Sequence, residues 1–309
     1  MDKWQHMESI VSQNATVLQP DFKKQFKKLC ISRYLAENLL AFLLQYAGLM
    51  FSTLTSSSTL LWLASGTAAG FIFLRGYSIL PGIWLGGFFA YYFSNTSILL
   101  ASGCAIVFTL QAYLLFWLNL RYISPTPIIY RLTTLLKFLI CSSALTATAS
   151  FLLVLLCYST LRHPLAPTAL WLHWWLSNLN GILLFSIAII TWDMYFPQIS
   201  ALKYLSKTSI GALYGGLLIL ILLLLFSNSM VMAACLTVAT LPLIIIISLR
   251  YGWCGTVSAM LLLTVGFSIV LTFGGLVLSS RSIIFLQGFL AIEMMVGLMI
   301  ARASSQKLG

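Results

Sequence analysis

Ten apolar runs, each 17 to 24 residues long and parted by only a few polar residues, dominate this chain: 35–54, 58–74, 78–94, 98–120, 135–157, 168–191, 209–227, 230–249, 255–278 and 283–301. Runs of this length match the ~30 Å hydrocarbon core of a bilayer at ~1.5 Å of helix per residue. In lipid a backbone must satisfy its own hydrogen bonds, which leaves helices or closed barrels, and runs this long and this apolar are helices. The expected fold is therefore all-α: a polytopic integral membrane helix bundle of about ten transmembrane helices. Only 7% of the 309 residues are charged, against about 25% in a soluble domain. That excludes a soluble enzyme, a coiled coil and a disordered chain. The net charge of +11 is scattered singly between apolar runs, so the expected partner is the lipid bilayer and no nucleic acid.

Two helix boundaries need argument. Residues 209–249 are almost continuously apolar, but as one helix they would reach about 60 Å, twice the hydrocarbon core, so the chain must turn near Ser227-Asn228-Ser229. Residues 58–94 break at Arg75-Gly76-Tyr77, where a charge followed by glycine suits a tight hairpin. Each half is only 17 residues, which leaves two full spans or a re-entrant pair open.

Orientation follows from lysine and arginine, which concentrate on the cytoplasmic side. With the N-terminus inside and ten spans alternating, only Arg162 and Arg281 of the 17 basic residues fall outside. Both termini are then cytoplasmic. The expected layout is a cytoplasmic tail at 1–34, a membrane domain at 35–301 and a short cytoplasmic end at 302–309. In the tail, Phe22, Phe26, Leu29 and Cys30 share one helical face, largely opposite Lys23, Lys24, Lys27 and Lys28. That is an amphipathic segment suited to an anionic inner leaflet, or a plain topology signal. Six cysteines without CxxC spacing read as small hydrophobes, and three histidines have no metal-ligand spacing. No cofactor motif is present.

Most acids lie in the tail or at helix ends. Glu293 is the exception: it is the eleventh residue of the last run, where a carboxylate is costly and should face the bundle interior. Gln111, Asn178 and Glu293 lie 13, 10 and 10 residues from the outer ends of their runs, ~15–20 Å deep. With Asn180 and mid-helix Gln45 they would form a polar layer if their helices are neighbours; the alternative for any one amide is ordinary interhelical hydrogen bonding. In the sixth run, His173, Ser177 and Asn180 share one face, and Trp171, Trp174, Asn178 and Gly181 form the adjacent stripe. His173 alone reads as an interfacial histidine. Gln287 lies about 120° around from Glu293 and near the outer end, so its replacement is expected to matter less. Gly66-xxx-Gly70, Gly82-xxx-Gly86 and Gly211-xxx-Gly215 have the spacing of close helix packing. Pro81 suits a first helical turn and Pro242 should kink the eighth helix.

Three stretches carry a resemblance: Trp62-Leu-Ala-Ser-Gly66 through Arg75-Gly-Tyr77 to Leu80-Pro-Gly-Ile-Trp-Leu-Gly86; Trp174-Trp-Leu-Ser-Asn178 with Gly181; and Leu249-Arg-Tyr-Gly252 with Gly255 and Gly274. Together they resemble the first type of bacterial membrane-associated sensor domain (MASE, type one), over roughly 35–305. The resemblance implies an integral-membrane input module, commonly of eight spanning helices, that usually precedes a cyclase, phosphodiesterase or histidine kinase domain. It also implies prolines at 63–64 and carboxylates at 111 and 178, where this chain has Leu63-Ala64, Gln111 and Asn178.

The expected function is a non-enzymatic sensory module of the bacterial inner membrane. It would bind a small ligand through Glu293, Gln111, Asn178 and Asn180, with Trp174 as a wall, and signal through a separate cytoplasmic or membrane partner. Gly66, Gly70, Gly82 and Gly86 would pack the helices. The alternative is a small-molecule transporter or permease subunit, for which a buried midplane acid is also suitable.

Overall fold

The computed structural model describes residues 20–54, 60–94, 96–123, 131–160, 166–195, 207–225, 230–273 and 279–305. Among them all the regular secondary structure is helical: α1 Pro20–Leu54, α2 Leu63–Arg75, α3 Leu80–Phe93, α4 Ile98–Leu118, α5 Leu132–Thr160, α6 Pro167–Gly181, α7 Ile187–Tyr195, α8 Lys207–Leu225, α9 Met230–Phe273 and α10 Ser280–Ser305. A π-turn, Ile182–Ser186, joins α6 to α7 as one pass, and another, Asn119–Ile123, ends α4. The side chains of the amphipathic segment 22–28, of Cys30 and of Asp193, and the loop at Arg162, lie outside the described residues. The boundary expected at 34/35 falls inside α1.

Seven stretches among the described residues are long and apolar enough to cross a bilayer. Two of the seven fold back on themselves. Within Leu63–Phe93, α2 runs antiparallel to α1: Ala64 lies against Gly48, and Arg75 reaches Glu37. α3 then runs parallel to α1, with Gly82 against Asn38 and Gly86 against Phe42. The reversal is made by Gly76 at φ 72°, ψ −161°, followed by the 3-10 turn Gly76–Ile79. Within α9, Gly252 alone has non-helical angles, φ 57° and ψ −143°. The Thr256 hydroxyl there donates to Ser248 Oγ at 2.8 Å, although eight residues of straight helix would separate them by about 12 Å. The two arms, 230–251 and 253–273, therefore lie side by side. With the arms of both hairpins taken separately, and with α8, whose described apolar part is Gly211–Leu223, the described residues form ten helical segments.

The hairpin at Gly76 is shallow. α2 and α3 have 13 and 14 residues, about 20 Å each, short of the hydrocarbon core. Pro81 sits in the first turn of α3, where its missing N–H costs nothing. Asn38 of α1 holds the turn from both sides: its Nδ2 donates to Ser78 O at 2.9 Å, and Gly82 N–H donates to its Oδ1 at 2.8 Å. Glu37 accepts from Arg33 at 2.9 Å and lies 3.5 Å from Arg75 Nε. Such half-exposed pairs contribute under ~1 kcal/mol and chiefly set position. At Pro242 the backbone stays helical; the break comes ten residues later, at Gly252.

Small residues mark the tightest crossings. A Cβ on Gly82 would lie 2.3 Å from Asn38 O, and one on Gly86 2.6 Å from Phe42 O, so α1 and α3 touch backbone to backbone. Gly70 lies against Ser186 and Ile189, beside the π-turn. Gly211 and Gly215 meet nothing within 4 Å. Their spacing, expected to mark packing, carries no helix contact here, because that face of α8 is open.

Candidate functional site: a polar junction at the buried start of α2

α2 begins inside the bundle. Residues 60–62 are not helical, yet Leu60 and Leu61 are fully buried. Non-helical backbone at such depth must find partners in the protein, and α6 supplies them. Trp62 N–H donates to Ser177 O at 2.9 Å, and Asn180 Nδ2 donates to Leu60 O at 3.4 Å. Ser177 and Asn180 lie 10 and 13 residues into α6, so this junction is about 15–20 Å along that helix. The approach requires glycine. A Cβ on Gly181 would lie 2.0 Å from Trp62 O, and one on Gly66 2.0 Å from Gly181 O.

The expected site residues separate into three groups. Gln111 of α4 and Asn178 of α6 form a reciprocal amide pair, each Nδ2 or Nε2 donating to the other's carbonyl oxygen at 3.1 Å. Asn180 turns to the other side, donating to Gln287 O of α10 at 3.0 Å as well as to Leu60 O. Glu293 lies on a different face of α10, against α9, where the Thr240 hydroxyl donates to its Oε1 at 2.8 Å. Its Oε2 is buried with no hydrogen-bond partner. The carboxyl and the amide pair thus sit in separate places.

Gln287, near the outer end of its run, is completely buried. Its side-chain amide is 3.0 Å from His173 Nδ1, and its backbone oxygen takes the bond from Asn180. The reason is the face it occupies: α10 packs on α6 with its 287 side and on α9 with its 293 side. The i, i+7 spacing of His173 and Asn180 was the available signal, since two polar residues on one face of α6 need an acceptor from a neighbour.

Aromatic rings close the junction. Trp174 packs on Trp62 with centroids 6.2 Å apart, Trp62 stacks on Phe108 at 5.7 Å, and Phe108 stacks on Tyr91 at 6.2 Å. Trp171 and Trp175 face away, donating to Ala147 O and Ser143 O of α5. Trp174, Asn178 and Gly181, at i, i+4 and i+7, are therefore the stripe of α6 that meets α2 and α4. Two donors at the start of α2, the Trp62 indole N–H and the Ser65 hydroxyl, are buried without partners. Gln45 of α1 is 1% exposed, and neither of its amide atoms has a partner.

The stretches singled out in the sequence are the ones that build this junction and its turns. Residues 62–86 are α2, its hairpin and α3; Trp174 to Gly181 is the α6 stripe against Trp62 and Gly66; Gly252 is the reversal in α9. No curated protein and no solved structure matches the chain. The MASE1 family profile matches residues 35–308, and with nearly the whole chain covered, this multi-pass membrane protein belongs to the MASE1 family of membrane-associated sensor domains.

Proposed function

We propose that this sensory module binds a small ligand at the junction of α2, α4 and α6, and passes the resulting change in helix packing to a separate signalling protein at the bacterial inner membrane. The observation that carries the reading is the buried start of α2. There, unpartnered donors from Trp62 and Ser65 lie at a place rimmed by aromatic rings and by the Gln111–Asn178 pair. Buried polar groups without partners cost about 1–3 kcal/mol each, and a ligand offering acceptors would recover that energy. In this reading Trp174 walls the ligand, Gln111 and Asn178 open their mutual bonds toward it, and Asn180 holds the backbone of Leu60 in place. Glu293 acts at a second point, where α10 meets α9. A transporter or permease subunit is the alternative, favoured by the unpartnered oxygen of Glu293 mid-way along α10.

Cross-linking in native membranes, followed by purification of the full chain, separates the two. Capture of a signalling enzyme that lacks its own membrane input supports the sensor. Capture of an ATPase or a solute-binding protein overturns it in favour of the transporter.

A further inference from the structure

Sequence spacing gave no reason to pair any two cysteines, but the fold does. Cys104 is the seventh residue of α4, and Cys157 lies three residues before the end of α5. The two helices run antiparallel and meet there: a Cβ on Gly103 would touch Leu156 at 3.4 Å. Cys104 and Cys157 belong to one apolar cluster, and their thiols are hydrogen-bonded to each other. Cys104 is buried, while Cys157 is partly exposed. The pair lies within about 10 Å of the helix ends, at the end of α4 and α5 away from Arg121, Arg131 and Lys137. By the distribution of basic residues that is the non-cytoplasmic end, where disulfides persist.

We propose that Cys104 and Cys157 form a dithiol site that exchanges with small-molecule disulfides. The partly exposed Cys157, as thiolate, attacks one sulfur of the external disulfide. A mixed disulfide forms and the first external thiolate leaves, taking up the proton that Cys157 gave up. Cys104 then loses its proton and attacks Cys157 Sγ, displacing the second external group as a thiol. The chain's two thiols are oxidised to one disulfide, and the external disulfide is reduced to two thiols. The bond would staple α4 to α5. Cys104, Phe108 and Gln111 follow i, i+4, i+7 on one face of α4, so the staple would fix the rail that presents Phe108 to Trp62 and Gln111 to Asn178. The dithiol site itself stands whether or not a ligand binds at that junction.

The test uses the full chain in membrane vesicles, with 4,4′-dithiodipyridine as the external disulfide, followed by maleimide labelling and non-reducing peptide mapping. The expected result is one peptide pair joining Cys104 to Cys157, with loss of two hydrogens, no retained thiopyridine, and recovery of both labelling sites on reduction. Cys104→Ser should instead retain one thiopyridine on Cys157. A variant with Cys30, Cys141, Cys235 and Cys254 replaced by serine should still form the bond; should that variant fail to fold, the wild-type map decides. Separate adducts on the two cysteines, a Cys157–Cys157 bond between chains, or two thiols still open to maleimide would each overturn the proposal.

Discussion

The Gln111–Asn178 pair is the sharpest point at the residue scale, because each amide is the other's partner. Asn178→Leu leaves the buried Gln111 amide without its two bonds, and should lower stability by about 1–3 kcal/mol, read as a fall in Tm of the purified protein. Gln111→Leu with Asn178→Leu removes both needs at once and should sit close to wild type. A double variant as unstable as the sum of the singles would show that the two amides do not act as a pair. Glu293 offers a different contrast. The Thr240 hydroxyl has Thr237 O as a second acceptor at 2.5 Å, so Glu293→Ala loses mainly volume. Glu293→Gln keeps the shape and an acceptor for Thr240, and should match wild type in Tm. If the carboxylate takes part in sensing, the same Gln variant should abolish output in a cellular reporter; full output with normal Tm would reduce Glu293 to a packing group.

Two glycines govern the elements. Gly76 and Gly252 combine positive φ with extended ψ, a region open essentially to glycine alone and costing other residues about 1–3 kcal/mol. Neither has a neighbour within 4 Å of a built Cβ, so alanine meets no clash and the cost is purely conformational. Gly76→Ala and Gly252→Ala should each lower Tm while leaving the fold intact. Gly181→Ala differs in kind, because its Cβ would lie 2.0 Å from a backbone oxygen that cannot move alone. That variant should fail to give a monodisperse peak in size-exclusion chromatography. A normal profile would mean that α2 enters the bundle less deeply.

At the scale of the whole molecule, the ten-span arrangement expected from the sequence would place the segments flanking α1 and α10 on one side. Reporter fusions after Arg75 and after Arg250 should both indicate cytoplasm, and one within 158–167 should indicate the outside. The two hairpin turns make the first pair informative: both arginines precede a reversing glycine, at Gly76 and Gly252, so both turns belong on the basic side. Opposite signals at Arg75 and Arg250 would break the ten-pass arrangement.

Periodicity had little to do with how much of this fold was legible. Apolar runs of bilayer length dictate helices because lipid offers no other partner for the backbone, and Arg75-Gly76-Tyr77 announced its hairpin through charge and glycine together. The reversal at Gly252 falls between two apolar runs and follows from run length, which is a one-dimensional property; the turn expected near Asn228 lies outside the described residues. Site membership is not. Gln111 and Asn178 are 67 residues apart and Asn180 and Gln287 are 107 apart; whether such amides meet depends on which helices are neighbours and on how each is rotated. Gln287 shows this, since its depth and angle relative to Glu293 could be counted but the helix it faces could not. The π-turn at Ile182–Ser186 and the non-helical entry at Leu60–Trp62 left no mark in hydropathy, because both are apolar segments, and at the entry the backbone is satisfied by distant groups of α6. Chemistry along the chain decided that this protein lives in a membrane as helices; only their packing decided that α2 starts inside the bundle, where Gly66 and Gly181 are small enough to let it in.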